Sequence, residues 1–238
     1  WPPRYANSQT DYLDMAVRLG EIDMVKLLLD RGAPINKGRA ICSAVESLKV
    51  DIVTLLLNRG ADPNALKQSH DQIPALFCLP QATRTDSRPF QIIEILIKHG
   101  ANIGHYLPSG NSLLSYSMFR KPMDTEMIKF LIDHGFPLNS GPNDRTPIRD
   151  AAAARLVDAV KVLLDAGADA NDFGTECKSK CRGRRTALHA AVDLQSYEYP
   201  SQIPQSIEIT TTLLRHGARP NVFDEVGNSP LFLATYSN

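Results

Sequence analysis

The chain has 238 residues, 43% of them hydrophobic and 22% charged, which supplies enough apolar side chains for a sizeable core. Its 26 basic and 26 acidic residues cancel, which argues against a whole-protein polyanion binder and leaves only local basic patches for that role. No run of about 18 apolar residues occurs, so no segment reads as a membrane span, and four cysteines do not make a disulfide framework. That cysteine usage points to a reducing intracellular compartment, cytoplasmic or nuclear.

In chain order, residues 1–10 open on Trp1-Pro2-Pro3, without a methionine or the basic and apolar regions of a secretory signal. They are expected to form an irregular lead-in, and the chain is expected to be a piece of a longer protein. From Asp11 the sequence is periodic. Ile22 to Leu29, Val50 to Leu57 and Phe90 to Ile97 share one amphipathic character, with apolar residues at helical spacing that broaden toward the C-terminal end. Each runs into one five-residue phrase: Gly32-Ala33-Pro34-Ile35-Asn36, Gly60-Ala61-Asp62-Pro63-Asn64 and Gly100-Ala101-Asn102-Ile103-Gly104. The phrase recurs at Gly135 to Asn139, Gly167 to Asn171 and Gly217 to Asn221. A glycine at that place can turn left-handed and cap the last carbonyls. Basic or imidazole side chains (Arg31, Arg59, Lys98, His99, His134, Arg215, His216) precede it, where the negative end of the helix dipole favours them.

A second phrase lies about 21 residues before each glycine, clearest at Thr146-Pro147-Ile148-Arg149 and Thr186-Ala187-Leu188-His189, and begun again at Ser229-Pro230. A hydroxyl as N-cap followed by proline at the first helical position is a helix start. Small residues follow, such as Ala151 to Ala154, so this first helix can pack closely.

Turn, capped small-residue helix, short loop, large-residue helix, glycine, asparagine: the sequence resembles the ankyrin repeat family over nearly its whole length. The resemblance implies an all-α solenoid of stacked helix-turn-helix units with β-hairpin-like fingers along one edge. The expected ankyrin-repeat domain is 11–238, with landmarks at Gly32, Gly60, Gly100, Gly135, Gly167 and Gly217 and a partial seventh repeat at 229–238. The array is expected to continue past Asn238. Against an ideal period of about 33, the first finger is short. Insertions are expected between the helices of the third and sixth repeats, around Gln81 to Arg88 and Ser196 to Ser206, and the finger before Thr186 is long. The third repeat is the weakest, because Pro74 and Pro80 flank its first helix and no threonine caps it.

No phosphate loop, dinucleotide fingerprint, zinc-protease helix or nucleophile elbow is present, so no catalysis and no cofactor are expected. His99, His134 and His216 belong to helix ends, and His189 is placed by the resemblance at its helix start; His70 and His105 fall on finger tips. Cys177 and Cys181 have a metal-like spacing but lack the second pair that a structural zinc needs; metal, a disulfide clip and reduced thiols are the readings, with thiols favoured. The same loop carries Lys178, Lys180, Arg182, Arg184 and Arg185. It reads either as a solvated finger or as a docking point for an acidic segment or part of a localisation signal. Nucleic acid is disfavoured because no aromatic platform accompanies the run.

The resemblance implies a module that binds another protein through a concave face and finger tips, as a monomer. An alternative is the regulatory or targeting segment of an enzyme whose catalytic domain lies elsewhere. Candidate contacts are Tyr106, Phe119, Arg120, Arg145, Phe173 and Phe223 with the basic run, since aromatics and arginines dominate interface energetics. Further finger and first-helix candidates are Lys67, His70, His105, Asn143, Glu225, Arg18, Glu46 and Asp193. Each aromatic ring has a second reading, packing against the next finger.

Overall fold

A computed structural model describes residues 9–36, 39–66, 73–80, 86–119, 124–139, 145–174, 185–193 and 202–236. The described residues are helical, with one isolated extended bridge between Tyr106 and Ser112. They fall into two compact units, Trp1–Ile103 and Gly104–Asn238.

In the first unit α1 (Gln9–Leu19) pairs with α2 (Ile22–Asp30), and α3 (Ala40–Glu46) with α4 (Val50–Asn58). A 3-10 turn (Ala75–Cys78) and α5 (Arg88–Lys98) complete it. Helix α1 therefore begins two residues ahead of Asp11. The turn packs on α3, as a first helix would. Its four residues are buried, and Leu76 and Phe77 supply large apolar side chains to the core. Cys42 and Cys78 are buried, reduced thiols.

The second unit holds α6 (Leu113–Met118) with α7 (Thr125–Asp133), α8 (Pro147–Ala153) with α9 (Val157–Asp165), and α10 (Ala187–Val192) with α11 (Ile203–Arg215), followed by α12 (Pro230–Tyr236). First helices stack on first helices (α6 on α8, α8 on α10, α10 on α12), and second helices on second helices (α7 on α9, α9 on α11). The helix starts follow the expected chemistry. Thr146 is extended and its hydroxyl accepts the Arg149 amide, with Pro147 opening the helix; Ser112 accepts the Ser115 amide in the same way. Ile203–Ser206 lie within α11, so part of the expected insertion lengthens a second helix to 13 residues.

At the ends of the second helices the glycines turn left-handed. Gly60 (φ 88°) donates its N–H to Leu57 and lets Ala61 donate to Leu56, which satisfies two carbonyls of the last turn. The residue before the glycine ties adjacent repeats together. Arg59 reaches Asp30 at 2.7 Å, His99 Nε2 lies 3.2 Å from Asn58 Oδ1, and His216 Nε2 lies 3.8 Å from Asp165. The Nδ1 atoms of His99, His134 and His216 each donate to the carbonyl one turn back, at 2.8, 2.8 and 2.9 Å.

The asparagines that end four of the phrases, Asn36, Asn64, Asn139 and Asn171, have a similar task. Asn36 donates to the Gly60 carbonyl and accepts the Asp62 amide, and Asn64 does the same for Gly100 and Asn102. In the second unit Asn139 accepts the Asp169 amide, and Asn171 holds Gly217 and Arg219. A side chain from one phrase thus satisfies backbone groups of the next, which keeps the turns in register.

Candidate protein-interaction surface

The fingers are turns whose own polar side chains set their form. In the finger at 222–229, Asp224 Oδ1 accepts the amides of Val226 (3.0 Å) and Asn228 (2.8 Å), while the Asp224 amide donates to the Asn228 carbonyl (2.9 Å). Asp224 Oδ2 takes the Arg185 Nε at 3.3 Å. Burial raises the Asp224 pKa, but the two amides and the guanidinium outweigh it and hold the carboxyl below its ordinary value. The turn is therefore anchored at its base. At its tip Phe223 is 64% exposed and Val226 83% exposed.

Arg185 is the described end of the basic run, and it is not a loose cation. Its guanidinium bridges Asp193 (2.6 Å) and Asp224 (3.3 Å), joining the start and end of the α10 segment to the following finger. Behind it Arg155 donates to the carbonyls of Ala152 (2.9 Å), Ala190 (2.7 Å) and Asp193 (2.9 Å). Burial lowers the Arg155 pKa, opposed by the charge of Asp193. His189 is fully buried at the same level. The Thr186 amide donates to its Nδ1 (3.2 Å), which leaves the proton on Nε2, 3.2 Å from the Asn228 carbonyl. Burial lowers its pKa and keeps it neutral. Arg185, Asp224 and His189 together fix where the finger at 222–229 stands.

Arg145 grips the buried carboxylate of Asp150 through Nη2 (3.0 Å) and Nε (3.2 Å), which positions it at the base of its finger. Tyr106 and Ser112 form the neck of a short hairpin turn, closed by Leu107 donating to Asn111 and Gly110 to Leu107. The Tyr106 ring is half-buried. Burial, then the charge of Asp172, raises its phenol pKa. Asp172 Oδ1 accepts the Gly174 amide (2.8 Å) around half-buried Phe173, and Phe119 is exposed at the end of α6. Arg18, Glu46 and Asp193 are paired with Asp14, Arg39 and Arg185. Glu225 is exposed and His105 half-buried.

Arg120, Lys178, Lys180, Arg182, Arg184, Cys177, Cys181, Lys67, His70 and Asn143 lie outside the described residues. Among the described residues no cluster of histidine, cysteine or carboxylate side chains could hold a metal, and no helix is long and apolar enough to cross a membrane. Val226 and Asp224 are the residues that sequence reasoning passed over. The pattern Asp224-x-x-Gly227-Asn228 carries a turn signal that could have marked them.

The family model of ankyrin repeats in three copies matches residues 81–174, and that of the single ankyrin repeat matches residues 13–38, together half of the chain. A comparison with curated proteins found no match by sequence. Among solved structures, the chain is similar to the ankyrin repeat domain of Bcl-3, a member of the IkappaB protein family. The identity is 21% and the TM-score 0.71, over 94% of this chain and 93% of that one. It is also similar to the human ASB11 ankyrin repeat domain, at 20% identity and a TM-score of 0.64, over 93% of this chain and 90% of that one. At these identities the likeness to the two structures is one of fold. Ankyrin repeats are in general protein-interaction modules. With the matched repeats and the stacked helix pairs in hand, the chain belongs to the ankyrin repeat family.

Proposed function

We propose that this protein is a non-catalytic interaction module, part of a larger intracellular protein, which binds a partner protein through its fingers and the adjoining ends of its first helices. The observation that carries this reading is the finger at 222–229. Its base is held by Asp224, Arg185 and His189, and its tip offers Phe223 and Val226 to solvent. A rigid turn presenting apolar side chains loses little conformational entropy on binding, and such side chains form the energetic centres of interfaces. Tyr106, Phe173 and Phe119 extend the surface. Arg145 acts at the base of its finger. The basic residues Arg120, Lys178, Lys180, Arg182 and Arg184 suit a partner with an acidic segment.

The test is affinity capture with the whole chain beside a Phe223→Ala, Val226→Ser variant and a Tyr106→Ala, Phe173→Ala variant, each checked for an unchanged circular dichroism spectrum. Partners lost with either pair place binding on the fingers. An identical set captured by all three chains rejects this surface.

A further inference from the structure

The first unit holds two buried thiols in adjacent repeats, Cys42 on α3 and Cys78 at the end of the 3-10 turn. Counted from the start residues, Cys42 occupies the position of His189 in the sixth repeat, the side chain that reaches a carbonyl just ahead of the following helix. Cys42 makes a similar reach: its thiol donates to the Ile73 carbonyl at 4.0 Å. Cys78 occupies the position held by Ala16, Ala44, Ala151 and Ala191 in other repeats, each of them buried. Its thiol donates to the Pro74 carbonyl at 3.6 Å.

The two sulfurs thus rest on successive carbonyls of one short stretch. Such oxygens stand about 5 Å apart in an extended chain, so the sulfurs are separated by about 13 Å at most. A disulfide brings the two Cα atoms to about 6 Å, and any remaining gap must be closed by movement of one element. The 3-10 turn is the one suited to move. It has four residues and starts after Pro74, which supplies no capping side chain, and 3-10 hydrogen bonds are poorer than those of an α-helix. Its partner α3 is a regular helix, buried from Ala40 to Val45. Short elements held by few backbone bonds open before the rest of a fold.

We propose that Cys42 and Cys78 are a redox pair, which hydrogen peroxide converts into a disulfide joining the second and third repeats. The sulfur of Cys78 attacks the peroxide O–O bond, becomes a sulfenic acid and releases one water, which carries away the thiol proton. The Cys42 sulfur then attacks that sulfenic sulfur, the S–S bond forms, and the hydroxyl leaves with the Cys42 proton as a second water. Two thiols lose two electrons and one peroxide becomes two waters. Burial disfavours the reactive thiolate, so the reaction runs through the opened turn and is slow while the turn is closed. The bond closes the loop from 42 to 78 and fastens the weakest repeat to its neighbour.

The test is peroxide treatment of the whole folded chain, followed by alkylation of the remaining thiols and peptide mass spectrometry without reduction. A peptide linking Cys42 to Cys78 is expected, lost on reduction, and the oxidised chain is expected to unfold at a higher urea concentration than the reduced one. The Cys42→Ala variant should carry Cys78 as a sulfenic or sulfinic acid, with no cross-link and no such shift. The Cys177→Ser, Cys181→Ser variant should cross-link as fully as the unaltered chain, which separates this pair from the other two cysteines. Four results overturn the proposal. They are thiols at 42 and 78 that both remain open to alkylation after peroxide, linkage of either to Cys177 or Cys181 instead, a Cys42–Cys78 peptide that forms only in denaturing urea, and an oxidised chain no more resistant to urea than the reduced one.

Discussion

The third and fifth repeats solve the same packing problem by different means. The fifth has a hydroxyl cap at Thr146, proline at the first helical position, a seven-residue α8 and buried small residues, Ala151 and Ala152. The third has Pro74 in place of the cap, a four-residue 3-10 turn in place of the helix, and Leu76 and Phe77 fully within the core. Stacking therefore demands filled volume at the first-helix site more than it demands helix. A longer element of small side chains and a shorter element of large ones both meet it, because a core is stabilised by dense contact rather than by any one backbone conformation.

The substitution Phe77→Ala strikes hardest at that comparison. Removing a buried ring with no helix to reshape around the gap is expected to cost about 3–5 kcal/mol in urea unfolding. In the fifth repeat Ala151→Gly should cost only about 1 kcal/mol, the helix-propensity difference. If the two losses were equal, volume would not be what distinguishes the repeats.

The loops between paired helices sharpen the point. Leu48 (φ 51°) and Arg155 (φ 60°) both sit left-handed without being glycine, in register with Gly20 (φ 84°). For Arg155→Gly, about 1 kcal/mol of backbone strain is relieved, but three carbonyls lose a cationic donor. The net loss should be about 2 kcal/mol. The same exchange at Leu48 forfeits no such bonds among the described residues. It should leave stability level or raise it by about 0.5 kcal/mol, since relieved strain competes with the added freedom of glycine in the unfolded chain. Thermal melts of the two variants moving in the same direction would show that Arg155 is no clamp.

Thr146→Ala removes the cap that the third repeat never had, and should cost about 1 kcal/mol. Hydrogen exchange localised to the first turn of α8 is the expected signature; protection unchanged there would mean that Pro147 alone secures the start.

The smallest effect concerns pH. His189 is neutral and buried, with its folded pKa below the ordinary value of 6.5. As pH falls below about 6.5 the unfolded chain takes up a proton that the folded one refuses, so stability is lost down to the folded value and then levels. The His189→Gln variant should lack this component, and identical pH profiles for the two chains would assign the loss to other groups.

Much of this was legible in the residues themselves. The glycine phrases, the Thr-Pro helix starts, the weak third repeat and the imidazoles at helix ends are local patterns, and the hydrogen bonds by which they cap their own helices close within a few residues. The candidate surface was read less well. Arg145 and Arg185 stood out as contacts, yet both are engaged at finger bases, Arg185 with an acid 39 residues away. Phe223 stood out too, but nothing in its neighbourhood separated it from a ring packed on the next finger.

The repeat phrases, most of the helices and the family follow from the residues alone, because propensity, capping and periodicity act over a single turn; the start of α11 and the 3-10 turn of the third repeat do not. Which apolar side chains are covered and which cations are spent on internal partners is set by packing between repeats. Those outcomes depend on whether a neighbouring repeat stands at a given face, and an alignment of identical phrases treats every repeat as if it had neighbours on both sides.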